Sequence, residues 1–251
     1  MNSLTLTAIA GIPMVQQGDD LARLILRALD AMKLRIEHGD ILAVCQKVVS
    51  KAEGRVVSLS EIEPSKLAHQ FAARWDKDPR AVELVLRQTS RIVRMDNAVL
   101  IVETGPGWVC ANAGIDESNS LVEDRAILLP EDADNSAARL RADMKQLTGA
   151  DIAVLITDTF GRPWRDGLTE VCIGVAGIDP MLDLRGSTDL GGRELHHTVI
   201  AQADELAGAA GLLMPKAGAI PAVLVRGYQF ASVETASAKA LIRPAASDLF
   251  R

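Results

Sequence analysis

Ile152 to Thr157 (IAVLIT) is the stretch that most limits how this chain can fold. A half-exposed strand alternates apolar and polar residues, whereas this run is apolar until its final threonine. Such a run suits a strand covered on both faces, at the centre of a sheet with helices on either side. The next residue is Asp158, so the strand delivers a carboxylate to its carboxyl end. Ligands gather at such ends in layered sheet proteins, because loops diverge there and backbone groups come free.

The rest of the chain supplies the layers. Thr5 to Ala10 reads as a strand ending at Gly11-Ile12-Pro13, and Leu21, Leu24, Ile25, Ala28 and Met32 recur at helical spacing. Ile41 to Cys45 (ILAVC) is a short buried strand, and Arg55 to Leu59 is a β segment after Gly54. Ser60 to Asp76 and Asp78 to Gln88 read as helices with Pro64 and Pro79 near their starts, where a missing N–H is tolerated. Arg91 to Met95, Val99 to Glu103 and Trp108 to Ala111 read as an antiparallel run, followed by a short strand from Ala126 to Leu129. Ser136 to Leu147 is a helix with Asn135 as its cap and Gly149 at its end. After IAVLIT, residues 158–167 read as a polar loop, 168–177 as a helix, 180–186 as β, 197–212 as a helix and 222–226 as a strand. The sum is an α+β or mixed α/β chain with one unit over residues 1–251, divisible at most into two subdomains.

Composition removes several function classes. Acidic residues outnumber basic ones, 33 to 27, and no Lys/Arg block occurs, which argues against nucleic acid as a partner. No apolar run approaches the ~20 residues needed to cross a bilayer, and the first residues lack the pattern of a signal peptide. Cys45, Cys110 and Cys172 are widely spaced with no CxxC pair, as in reduced thiols of a cytoplasmic protein. GxxxxGK(S/T), GxGxxG, HExxH and GxSxG are all absent, so common nucleotide, zinc-protease and serine-hydrolase signatures give no lead.

Acids placed after β segments remain. Asp158 with Thr159 offers two hard oxygens to a divalent cation, and a simple turn cap explains the same pair. In "NAGIDESN", Asp116 could add a second carboxylate with Asn119 beside it, or Asp116 and Ser118 could cap a helix. Lys47 and Lys51, four residues apart, and Arg162 and Arg165 around Trp164 are cations suited to phosphate or to plain solvation. His196 and His197 are adjacent and point apart on most backbones, a poor start for a metal site. The small residues of Met214 to Pro221 permit close backbone approach to a ligand, or merely a tight connection. Acids to hold a metal and cations to neutralise phosphate are the two halves of a phosphoryl-transfer site.

Five segments taken together, "GIP", "QKVVSKAEGR", "LIVETGPGWVCANAGIDESN", "LITDTFGRPWRDG" and "MPKAGAIPAVLVRG", resemble the coenzyme F420-0:L-glutamate ligase family from about residue 7 to 245. The resemblance implies a GTP-dependent ligase that adds L-glutamate to F420-0 through an acyl phosphate, giving F420-1 with GDP and phosphate. It also implies Mg²⁺ or Mn²⁺, with K⁺, and an α/β fold with mixed and antiparallel sheets in an intertwined homodimer. By motif, Asp116, Asp158 and Thr159 would hold metal and Asn119 would touch the nucleotide. Gly11, Ile12, Pro13, Met14, Gln46 and Lys51 would line the nucleotide pocket, with Lys51 favoured over Lys47. Met214, Lys216, Ala217, Gly218, Ala219, Ile220 and Pro221 would close it.

Two departures stand out. Lys216 occupies a position where some relatives carry an amide or carboxylate that contacts a metal, and a cation there suits phosphate instead. The sequence stops at Arg251, where some bacterial relatives continue into a flavin-binding reductase domain, so a reductase step is not expected here. A metal-dependent GTP hydrolase and a non-catalytic deazaflavin or nucleotide carrier are the competing readings.

Overall fold

A computed structural model describes residues 3–116 and 124–248. In chain order the elements begin with β1 (Thr5–Ala8), α1 (Leu21–Ala31), β2 (Ile41–Cys45), α2 (Gln46–Ala52) and β3 (Val56–Ser58). Helices α3 (Lys66–Trp75) and α4 (Pro79–Arg87) lead to β4 (Thr89–Asp96), β5 (Val99–Thr104), β6 (Val109–Ala111) and β7 (Arg125–Ile127). Then come α5 (Ala133–Thr148), β8 (Ala153–Arg162), β9 (Arg165–Ala176), β10 (Leu182–Asp183), β11 (Val199–Ile200), α6 (Gln202–Gly211) and β12 (Ala222–Arg226).

The main sheet has the order β1-β12-β2-β8-β9. Only β2 and β8 run parallel; the other pairs are antiparallel. Smaller antiparallel sheets join β4, β5 and β6, β3 and β7, and β10 and β11. The class is mixed α/β with mixed and antiparallel sheets.

The expectation drawn from IAVLIT holds residue by residue. Val154 and Ile156 pack with Leu42, Val44 and Leu224 against Ile25 and Leu29 of α1 and Leu140 and Met144 of α5. Ala153 and Leu155 turn to the other face, with Ile41, Ala43, Val223 and Val225, against Ala203, Leu206 and Ala210 of α6. Successive side chains of a strand point to opposite faces, so covering both faces requires apolar residues at every position. A separate small core joins α3 and α4 to β5 through Phe71, Val82, Val85, Leu100 and Val102.

Residues 168–177 are not a helix. They belong to β9, and the expected loop 158–167 is mostly the paired end of a hairpin that turns at Pro163-Trp164. Two features override helical propensity here. The LTEVCIGVA segment is rich in β-branched residues, and Gly174 passes so close to α5 that an added Cβ would lie 2.3 Å from the Ala133 carbonyl oxygen.

Helix α5 starts at Ala133 with Asp132 as its cap, accepting from the Asn135 N–H at 3.0 Å, so Asn135 is not the cap. Gly149 ends α5 at a φ of 76°. The predicted 197–212 helix is shorter, because Val199–Ile200 pairs with β10 and α6 begins at Gln202. Among the described residues, no helix is long and apolar enough to cross a membrane.

Candidate active site

Strand directions create the site. Strands β1 and β2 are each antiparallel to β12, and β8 is parallel to β2. The carboxyl ends of β1, β2 and β8 therefore share one edge with the amino end of β12. A cleft of about 460 Å³ opens there, within the usual range for a small-molecule site. Residues 12–15 after β1 form one wall, and residues 214–217 and 219–221 ahead of β12 form another. Cys45, Lys47, Val48 and Lys51 come from the β2–α2 junction, Asp158 and Thr159 from β8, and Glu170 from β9.

Asp158 sits within β8, two residues beyond Ile156, and is only 9% exposed. Its pKa rises from 3.8 to about 7, chiefly through burial and further through the Glu170 charge. The Thr159 N–H and the Lys47 ammonium act in the opposite direction. The Gln46 side chain lowers it weakly, yet Gln46 Nε2 is buried and closes no hydrogen bond of ordinary geometry with any described residue. Gln46 Oε1 accepts from Ser50 Oγ at 2.9 Å. Thr157 Oγ1, one residue before Asp158, is a second buried polar atom without a partner among the described residues.

Asp116 reaches this site through Lys47. Its backbone forms a bridge with Ile127, by N–H to O contacts of 3.0 and 2.9 Å. Its carboxylate is ion-paired with the Lys47 ammonium, both side chains being largely buried. The acids of two segments distant in sequence thus meet around one lysine that acts on both. Lys51 Nζ lies 3.7 Å from Met14 Sδ, and neither Lys51 nor Lys216 has a carboxylate partner among the described residues.

Of the residues singled out from sequence, Ile12, Pro13, Met14, Lys51, Asp158, Thr159, Met214, Lys216, Ala217, Ala219, Ile220 and Pro221 line the cleft. Gly11 adjoins Ile12 at a φ of 85°, and Gly218 donates to the Pro215 carbonyl in the turn beneath the second wall. Gln46 is buried beside Asp158 rather than in the lining. Asn119 lies outside the described residues. Arg162 binds the Asp166 carbonyl at the exposed hairpin tip, and exposed His196 lies by Glu194, so neither joins the cleft.

Glu170 was not anticipated. It faces Thr159 across the hairpin, and Thr159 Oγ1 donates to its Oε1. The signal was present: a Gly-Arg-Pro-Trp-Arg-Asp-Gly turn between two β-rich runs marks a hairpin and would have placed Glu170 opposite Thr159. A second cavity, of about 410 Å³, holds Arg55 and Arg87, but Glu131 and Glu83 already neutralise them.

The donors in the cleft are hard oxygens: the carboxylates of Asp158 and Glu170 and the hydroxyl of Thr159. That is Mg²⁺ or Mn²⁺ chemistry. Among the described residues, no three His, Cys, Asp or Glu side chains converge as a metal cage. The set therefore fits a cation shared with phosphate oxygens and water, the usual mode for Mg²⁺.

The family model for F420-0:gamma-glutamyl ligase matches residues 10–227 of this chain. The chain is 45% identical over 251 residues to the coenzyme F420:L-glutamate ligase of Methanothermobacter thermautotrophicus, with 99% of each covered. A relative of the same name from Methanopyrus kandleri is 45% identical over 259 residues, with 100% of each covered. One from Archaeoglobus fulgidus is 45% identical over 225 residues, covering 89% of this chain and 87% of its own.

Proposed function

Because the chain belongs to the F420-0:gamma-glutamyl ligase family, we propose that it joins L-glutamate to coenzyme F420-0 through an amide bond. In this reading GTP transfers its γ-phosphoryl group to the terminal carboxylate of F420-0 and leaves as GDP. The glutamate amine attacks the resulting acyl phosphate, the C–O bond to phosphate breaks, and the amine proton is lost as the amide forms. Repetition adds further γ-linked glutamates. The active form is a homodimer.

The observation that carries the reading is a single cleft holding Asp158, Thr159 and Glu170 beside Lys47, Lys51 and Lys216. Lysine ammonium groups act as point charges on phosphate. Lys51 and Lys216, without carboxylate partners among the described residues, are available for that role. Residues 11–14, Gln46, Lys51, Asn119 and the 214–221 segment form the nucleotide pocket. Asp116, Asp158 and Thr159 would hold the divalent ions, Mg²⁺ or Mn²⁺, with K⁺ assisting.

When bound, the divalent ion neutralises charge between the carboxylate and the triphosphate, whose mutual repulsion in a low-dielectric cleft is on the order of several kcal/mol. Holding acceptor, nucleotide and glutamate in register supplies much of the remaining acceleration. GDP release measured with F420-0 present is expected to depend on L-glutamate. GDP formed at the same rate without glutamate would instead identify a hydrolase.

A further inference from the structure

Glu170 is a carboxylate that the cleft accommodates without neutralising. It is half-buried and, among the described residues, no lysine or arginine pairs with it, although Lys47 and Lys51 line the same cleft. Its neighbour across the hairpin is Thr159, and the next pair along is Asp158 with Val171. Thr159 and Glu170 thus leave the hairpin on one face and Asp158 on the other, and all three line the same cleft, where the Glu170 charge acts on Asp158.

The fold makes room for Glu170. Gly211 closes α6 against Glu170, and a Cβ there would lie 2.4 Å from Glu170 Cγ and 3.0 Å from its Cβ. Gly211 has no positive φ, so its need for glycine is one of space. A helix thus carries one of its weakest formers where the glutamate side chain passes. The local chemistry also leaves donor capacity. Thr159 Oγ1 spends its proton on Glu170 Oε1, which leaves the hydroxyl lone pairs unused, and Glu170 Oε2 has no protein partner among the described residues.

We propose that Glu170 is itself a ligand of the divalent cation, sharing it with Asp158 and the Thr159 hydroxyl. The inference rests on the cation reading given under the proposed function and adds a residue to it. With Glu170 the cleft offers two carboxylates and one hydroxyl, enough protein donors for an ion whose other positions are phosphate oxygens and water.

The test is uptake of Mn²⁺ alone, followed by the electron paramagnetic resonance signal of free Mn²⁺, by the wild type, Glu170→Gln and Glu170→Ala. Thermal melts accompany the titrations to show that each variant folds. Glutamine keeps an oxygen that can accept from Thr159 but removes the charge, whereas alanine removes both. Both variants are expected to bind Mn²⁺ at least about tenfold more weakly than wild type. Glu170→Gln should melt close to wild type in the absence of metal, since it keeps an oxygen that accepts from Thr159. Normal uptake by Glu170→Gln overturns the proposal, and weak uptake by Glu170→Ala alone would reduce Glu170 to a positioning residue for Thr159. Absence of uptake by the wild type would overturn the cation reading as well.

Discussion

The ammonium of Lys47, on the first turn of α2, is ion-paired with the carboxylate of Asp116. Lys47 also favours the charged form of Asp158 on β8. One lysine therefore couples two acids that sequence could place only in separate loops. Because both partners of the ion pair are mostly buried, their coupling should exceed that of a surface pair. A double-mutant cycle with Lys47→Met and Asp116→Asn is expected to give an interaction energy of about 1 kcal/mol or more by urea denaturation. Additive effects within a few tenths of a kcal/mol would show that the pair contributes nothing.

Asp158 makes the metal-free protein sensitive to pH. Its carboxyl titrates at 3.8 when unfolded and at about 7 when folded, so folding favours the neutral form. This contribution to stability is fully present below about pH 4 and is lost as pH rises to about 7. Asp158→Asn removes it, so the stability difference between variant and wild type should grow across that window. Parallel stability curves from pH 4 to 7 would contradict the assignment. Asp158→Ala is expected to keep the fold while losing at least roughly a hundredfold in turnover.

Arg226 holds the buried Asp40 carboxylate through Nε at 2.8 Å and Nη2 at 2.7 Å. The Asp40 side chain is only 2% exposed. Arg226→Met strands that charge, leaving it mainly the Glu37 N–H as a donor. The expected cost is about 3 kcal/mol, read from the shift in urea midpoint. A loss below about 1 kcal/mol would mean that Asp40 is solvated or neutral.

Gly174→Ala tests the contact that keeps residues 168–177 in a strand. An added Cβ would meet the backbone of Ala133, at 2.3 Å from its oxygen and 2.4 Å from its carbon. Backbone at the start of α5 cannot swing aside as a flexible side chain would. The expected destabilisation is about 2–3 kcal/mol by chemical denaturation, and a neutral result would contradict this close approach.

These residues also mark how far the sequence was legible. Continuous apolarity at Ile152 to Ile156 required cover on both faces, a local rule that tertiary context did not disturb. Glycine after α5 and proline at the start of α4 were local signals too, and both stand where expected. The hairpin was misread because a glycine-bounded polar stretch looks like a loop, while the contact that settles it, Gly174 against Ala133, is long-range. Losing the hairpin also lost Glu170, whose partner lies across the turn. The approach of Asp116 to Lys47 depends on how β7 and α2 pack, and no spacing in the chain encodes it. Lys47 and Lys51 both line the cleft, and Lys47, which the family resemblance ranked second, is the one ion-paired with Asp116 and acting through its charge on Asp158.

The central claim is amide formation at this cleft, and mass spectrometry of the cofactor tests it most directly. F420-0 incubated with the protein, GTP, Mn²⁺ and L-glutamate is expected to gain one or more glutamyl units, and to remain unchanged when GTP or glutamate is omitted. Unaltered F420-0 in the complete mixture, with the protein folded and Mn²⁺ bound, would contradict the ligase account.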